Sequence, residues 1–375
     1  MGYRYAERVR YDYQAGDATL TAFPLPIALD GSNFSFATAR ADGSDIYFRD
    51  GSDQTLLYFD RAAYYSESQR ALFYVHIPIV PASQASLFIE MRWGDPAAPD
   101  SNCPGLVWGE RFRAVYHFEE TGFTFLDSTG SAPPIVWTGH YPEARFTRAV
   151  AGAFGSRAIS ATGATYGWPF LQTVSGAQDY FVTGMTHVGY DAWLVQLEMS
   201  GDKEFWAARN GNGTYGYGQR RIGQGSTDYR IFEITGSRTQ PDGVIVSVPT
   251  DVSEAFYIGA WTEGVGAPWF YAVGINYQGT LVGGGGFTLP VGNAATDASL
   301  WIFEKPGAYV LDELRIYQPP IPPRAWFSFD SRLRRLYSTY VLFQPATDCS
   351  PPPLFAGGSR YVSYWMATRG LHAWQ

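Results

Sequence analysis

Short runs of strand-forming residues, each closed by turn-forming ones, recur along most of this chain, and few architectures accept that rhythm. DIYFRD (45–50) follows the turn ADGS, and LFYVHIPIV (72–80) alternates Phe73, Val75, Ile77 and Ile79 against Tyr74 and His76. SLFIEMRWG (86–94) alternates Leu87, Ile89, Met91 and Trp93 against Phe88, Glu90 and Arg92. A second series holds RAVYHFEE (113–120), DAWLVQLEM (191–199), EFWAAR (204–209), YRIFEIT (229–235), GVIVSV (243–248), AFYIGAW (255–261), WFYAVGI (269–275) and SLWIFE (299–304). Such runs are half-buried strands, and many of them at turn-sized spacing make a sandwich or barrel. With 17% aromatics, 41 glycines and 24 prolines, the chain is rich in strand and turn formers, so the predicted class is all-β.

At 375 residues there is chain for two domains. GDPAAPDSNCPG (94–105) breaks the strand pattern as a linker does, which places an N-terminal antiparallel β-sandwich at 1–108 and a second strand domain at 109–322. Beyond QPPIPPR (318–324), residues 323–375 form a C-terminal β-rich extension whose runs YSTYVLF and YVSYWMA do not belong to the sandwich.

The net charge of -8 speaks against a duplex nucleic-acid partner. Cys103 and Cys349 form no motif and are read as free thiols or one bridge. MGYRYAERVRYDYQ carries no secretory h-region, and no run approaches the ~20 apolar residues of a membrane span. The expectation is a chain without membrane insertion that leaves its cell without a signal, or one numbered from a mature end. GNGTYG (211–216) lacks the following helix of a dinucleotide site, GGGG (283–286) lacks the Lys-Ser/Thr of a phosphate loop, and the five histidines show no metal-ligand spacing.

One position stands out. In YVLDELRIYQP (309–319), strand alternation puts Val310, Asp312, Leu314 and Ile316 on one face and Leu311, Glu313, Arg315 and Tyr317 on the other. Asp312 therefore stands in an apolar row, where an unpaired charge costs several kcal/mol, of order 3–5. Trp193, Trp206, Tyr215, Tyr217, Trp261 and Trp269 fall in the middle of the second domain. Their flat faces suit sugar rings, and the same residues suit a β-sandwich core.

FPLPIALD (23–30), FATARADGSDIYFRDGSDQTLLYF (36–59) and FYVHIPIVPASQASLFIEMRWGD (73–95) resemble a domain of unknown function that precedes a laminin-G-like module in bacterial and phage surface proteins. LVWGERFRAVYHFEETGFTFLDSTG (106–130) and VLDELRIYQPPIP (310–322) look like the opening and closing strands of a laminin-G/concanavalin-A-like jelly roll. The resemblance implies two antiparallel sheets, a glycan-binding groove, and a structural calcium between Asp312 and Glu120, which shares strand parity with the core-facing Ala114, Tyr116 and Phe118, with Glu119 as the alternative ligand. Calcium takes six to eight oxygens, so carbonyls and water would complete its shell. Without metal, Asp312 accepts bonds from buried amides or pairs with an arginine. The Glu-x-Asp-x-x-Glu strand of related glucanases is absent, and EMSGDKE (198–204) reads as a hairpin turn, so no enzymatic activity is expected. The implied function is a bacteriophage virion structural protein, a tail or head appendage that binds host-surface polysaccharide. As such it is oligomeric and joined to other virion proteins through residues 323–375. The alternative is a bacterial cell-surface carbohydrate-binding or adhesion protein.

Overall fold

A computed structural model describes residues 3–13, 19–82, 86–139, 142–152, 154, 157–161 and 171–174, the strands between 187 and 317, residue 318, five positions between 326 and 337, and 341–348. Between 175 and 298 it describes strand backbone and, of the side chains, Ala192. The chain is all-β, and every ladder among the described residues is antiparallel. No helix among them is long and apolar enough to cross a membrane.

The first sandwich packs two sheets. One runs Val341–Phe343, Tyr5–Asp12, Ser86–Trp93, Tyr47–Asp50, Leu56–Leu57, with Thr347–Asp348 also on Tyr5–Asp12. The other runs Leu20–Asp30, Arg70–Val80, Phe59–Tyr65. Leu20–Asp30 carries Pro24 and Pro26, which lack the N–H a central strand must donate, and it is accordingly an edge strand. Alternation decides the buried face of Ser86–Trp93, where Ile89, Met91 and Trp93 are at most 2% exposed. It does not decide that of Arg70–Val80, where Tyr74 is buried along with Phe73 and Val75, and Ile79 of the expected apolar row is 60% exposed.

This sandwich is not made by residues 1–108 alone. Trp326, Phe329, Asp330, Leu333 and Tyr337 are helical, a spacing that puts all five on one helix face. Trp326, Phe329 and Leu333 are at most 1% exposed. The Trp326 and Phe329 rings each lie 5.0 Å from Phe23, and the Tyr337 hydroxyl accepts the Ala28 N–H at 2.7 Å. Val341–Phe343 then pairs with Val9–Tyr11. The expected docking of this extension on a neighbouring subunit is therefore corrected for its described part: Trp326 and Phe329 are buried in the chain's own first sandwich, and Tyr337 and Phe343 pack against it. Residues 349–375, with YVSYWMA and Cys349, lie outside the described residues. Cys103 is a free thiol. The 94–105 stretch is also held down, since Arg61 forks onto Asp100 at 2.8 and 3.1 Å and the Cys103 N–H bonds the Phe59 carbonyl at 2.9 Å.

The second domain has two sheets, eight strands each among the described residues. Tyr309–Tyr317 is central in one of them, with Leu314 paired to Tyr116 of the opening strand Phe112–Tyr116 and Leu311 paired to Leu194 of His187–Gln196. The strands flanking EMSGDKE, His187–Gln196 and Lys203–Arg209, belong to different sheets. Those two strands are therefore not the paired arms of the hairpin that the Ser-Gly pair suggests, and residues 197–202 lie outside the described residues.

Candidate functional site

Strand alternation fails where it was expected to explain Asp312. Residues 310–317 are all buried, on both faces, and Glu313 has φ +52°, outside strand geometry. The left-handed backbone at Glu313 breaks the row that alternation draws through Leu311, Glu313, Arg315 and Tyr317. Phe118 does the same after the opening strand, at φ +58°, so the parity linking Glu120 to Ala114 and Tyr116 ends before Glu120 is reached. Left-handed backbone is costly for such residues, of order 1–3 kcal/mol each, and persists where surrounding contacts fix it.

Those contacts form a buried ionic cluster at the meeting of the two domains and the C-terminal helical residues. His117 Nδ1 lies 2.9 Å from Glu313 Oε1, and Nε2 lies 3.0 Å from Asp60 Oδ2. The Trp108 indole N–H donates to the same Asp60 oxygen at 2.6 Å. Arg315 donates to Asp330 Oδ2 at 3.1 Å and to Glu313 Oε2 at 3.4 Å. Its guanidinium carbon sits 5.0 Å from the Tyr74 ring centre and 5.2 Å from that of Trp108, while His117 stacks on Tyr74 at 5.2 Å. Glu313, Arg315 and Asp330 are fully buried. Burial opposes a charge on His117, but Glu313 and Asp60 outweigh it and raise its pKa well above the ordinary imidazole value. Three carboxylates thus face two cations, and every bond of the cluster except Arg315–Glu313 ties one segment of the fold to another.

Beside the cluster opens a cleft of about 390 Å³, lined by Asp60 and His117 and by Asp42, Arg61, Tyr64, Tyr65, Glu119, Glu120 and Ser128. Both Glu119 carboxylate oxygens are engaged, one by the Tyr65 hydroxyl at 2.8 Å and one by the Arg157 N–H at 2.9 Å. Burial pushes the Glu119 carboxyl up to about 7 against those bonds. The buried Tyr64 hydroxyl has no hydrogen-bond partner among the described residues.

The calcium reading fits this arrangement poorly. Glu119 is spent as described, Glu120 Oε1 accepts the Leu126 N–H at 2.6 Å, and fully buried Asp312 accepts the Glu313 N–H at 2.8 Å, the bond to a buried amide that the metal-free alternative foresees. Among the described residues no three His, Cys, Asp or Glu side chains gather to hold a metal ion. Chelation is therefore expected to leave the melting midpoint of the protein unchanged. A drop on adding chelator, reversed by calcium, would restore the cation, because a ligand bound only by the native state stabilises it by mass action.

The backbones of the six aromatic candidates are divided between the two sheets of the second domain. Trp193, Trp261 and Trp269 belong to one sheet, and Trp206, Tyr215 and Tyr217 to the other. Along the backbone, Trp206 is the register partner of Ile302, Trp193 of Phe256, and Trp269 of Thr262. The side chains of these six residues lie outside what the structure describes.

Strand patterning alone did not join Asp60 and Glu313 to His117, or Arg315 to Asp330. One signal was present: charges at 313 and 315 in a strand otherwise apolar, beside an equally charged HFEE stretch.

No protein-family model matches the chain, and no curated protein matches it in sequence. Among solved structures it is similar to domain 4 of AbnA, a GH43 extracellular arabinanase from Geobacillus stearothermophilus, in complex with arabinotriose. That likeness covers 59% of this chain and 97% of the other at 16% identity, with TM-score 0.39. The binding domain of botulinum neurotoxin DC in complex with SialylT matches over 60% of this chain at 6% identity, TM-score 0.36; the match spans about half of that structure, 51%. The CBM2 module of the evolved Dit of Lactobacillus casei BL23 phage J-1 matches over 49% of this chain and 80% of that one at 9% identity, TM-score 0.27.

Proposed function

We propose that this chain is a polysaccharide-binding structural protein of a bacteriophage virion, in which the first sandwich holds the jelly roll in one fixed orientation toward the host surface. The cleft at the domain junction carries the binding reading. Ligand sites favour domain interfaces, and a volume of about 390 Å³ falls in the small-ligand range. Its walls offer carboxylates, an arginine and two tyrosine rings, which are the acceptors, donors and flat faces that sugars use.

The same walls favour binding over catalysis. A carboxyl held near 7 suits a general acid, yet both Glu119 oxygens already accept bonds from protein donors, and Asp60 is held by Trp108 and His117. The buried cluster supports the structural half of the reading, because a charged joint that loses its partners on opening resists domain motion.

The experiment is a glycan array probed with the full labelled chain, using bacterial capsular and cell-wall polysaccharides. Retention on at least one of them is expected, weakened about tenfold or more in an Asp42→Asn/Tyr64→Phe variant that melts as the parent does. Binding to no polysaccharide sinks the binding half. Immunolabelling of particles tests the other half: label on cells but not on virions would favour the bacterial-surface alternative.

A further inference from the structure

A second pocket lies wholly outside the junction. It occupies about 720 Å³ of the first sandwich and is lined by Tyr5, Phe34, Phe36, Trp93 and Phe343 around Glu7, with short polar residues at its sides. Glu7 is the one charged side chain among its described lining residues. The residue stands on Tyr5–Asp12 in the row Tyr5, Glu7, Val9, Tyr11, the buried face of that strand, opposite Met91. Its exposure is 4%, and no hydrogen bond or ion pair reaches it among the described residues. Burial alone pushes its carboxyl up to about 7. Several polar groups nearby are already used: the Trp93 indole N–H donates to Thr38 Oγ1 at 2.9 Å, and the Asn33 amide bonds the Ala28 carbonyl at 3.1 Å.

An unpartnered carboxyl on a core-facing row destabilises the fold, where glutamine or methionine would fit at less cost. Its surroundings say what would satisfy it. Aromatic rings present negative faces to a cation, and a lone carboxylate supplies the counter-charge. We propose that this pocket binds a compact organic ammonium ion, with Glu7 as its counter-ion and the ring walls of Tyr5 and its neighbours as its apolar enclosure. The site is independent of the junction cleft, so either can fail without the other.

Titration of the full chain with choline at pH 8, followed by calorimetry or by ligand-observed NMR, tests this directly. Saturable binding is expected, at least tenfold weaker for 3,3-dimethylbutanol, which has the same shape without the charge. Glu7→Gln should lose choline binding tenfold or more. The variant should also melt higher than the parent at pH 8. A carboxyl raised from its ordinary range to about 7 favours the native state at low pH, and that contribution is lost as pH rises through 7, so removing the charge helps at pH 8 and not at pH 5. For the parent, choline affinity should fall by about tenfold between pH 8 and pH 5.5 as Glu7 takes up its proton, a readout that needs no variant. Absence of saturable choline binding at pH 8, equal binding of the neutral analogue, or affinity that does not change with pH overturns the proposal.

Discussion

Truncation after Pro323 is expected to unfold the first sandwich rather than leave two intact domains. The cut removes Trp326, Phe329 and Leu333, each at most 1% exposed, and the Val341–Phe343 strand that hydrogen-bonds to Tyr5–Asp12. Losing a buried Trp or Phe side chain costs about 3–5 kcal/mol and a Leu about 2–5. Together that is about 8–15 kcal/mol before any strand pairing is counted, against a typical domain stability of about 5–15. Phe23, Tyr13, Phe112 and Tyr317, which the removed rings cover, would be left facing water. The measurement is near-ultraviolet circular dichroism and limited proteolysis of the 1–323 chain. Loss of the aromatic signal with rapid cleavage inside residues 1–108 is expected, and a fragment that melts at the parent midpoint would refute the role given to the C-terminal segment.

The second large effect is at Arg315. Replacing it with Met leaves Glu313 and Asp330 buried with one cation fewer, and removing one partner of a buried ion pair costs about 3–5 kcal/mol. The exposed pair Arg10–Asp12, whose side chains are 38% and 30% exposed, makes the contrast. A surface pair contributes about 0–1 kcal/mol, so Arg10→Ala should barely move a denaturant midpoint that Arg315→Met moves strongly. Coulomb attraction to each neighbour is not what sets this size. The larger part is the cost of stranding carboxylates where water cannot reach them. If the two substitutions shift the urea midpoint alike, the cluster is a bystander.

How much of this was legible in the sequence differs by element. The strands of the first sandwich were, in their extent: Ser86–Trp93 and Arg70–Val80 fall within two residues of the runs that alternate, although Arg70–Val80 buries Tyr74 and exposes Ile79 against that alternation. The all-β class and the pairing of the closing strand with the opening one follow from the same residues. What failed was parity across a kink. Alternation carries no notice of a left-handed Glu313 or Phe118, so it set Glu313 and Arg315 in a row apart from Asp312 and joined Glu120 to the core row.

Nor does strand patterning say which distant segment completes a sheet. Residues 326–343 return to the first domain through contacts some three hundred positions apart, as in the Ala28–Tyr337 bond. The apolar spacing of Trp326, Phe329, Leu333 and Tyr337 is a helix signal nonetheless, and a search for period 3.6 in that segment finds it. Glu7 was open to the argument applied to Asp312: an acid in a row of Tyr5, Val9 and Tyr11. The cluster itself was not readable, since its members come from five separate stretches and meet only after folding.

Differential scanning calorimetry of the full chain, with the Arg315→Met variant beside it, tests the claim that the cluster fastens sandwich, jelly roll and C-terminal segment into one unit. The parent is expected to melt in a single transition whose calorimetric and van't Hoff enthalpies agree, and the variant to show two resolved transitions at lower temperature. Two transitions already present in the parent, unchanged by the substitution, would contradict the account.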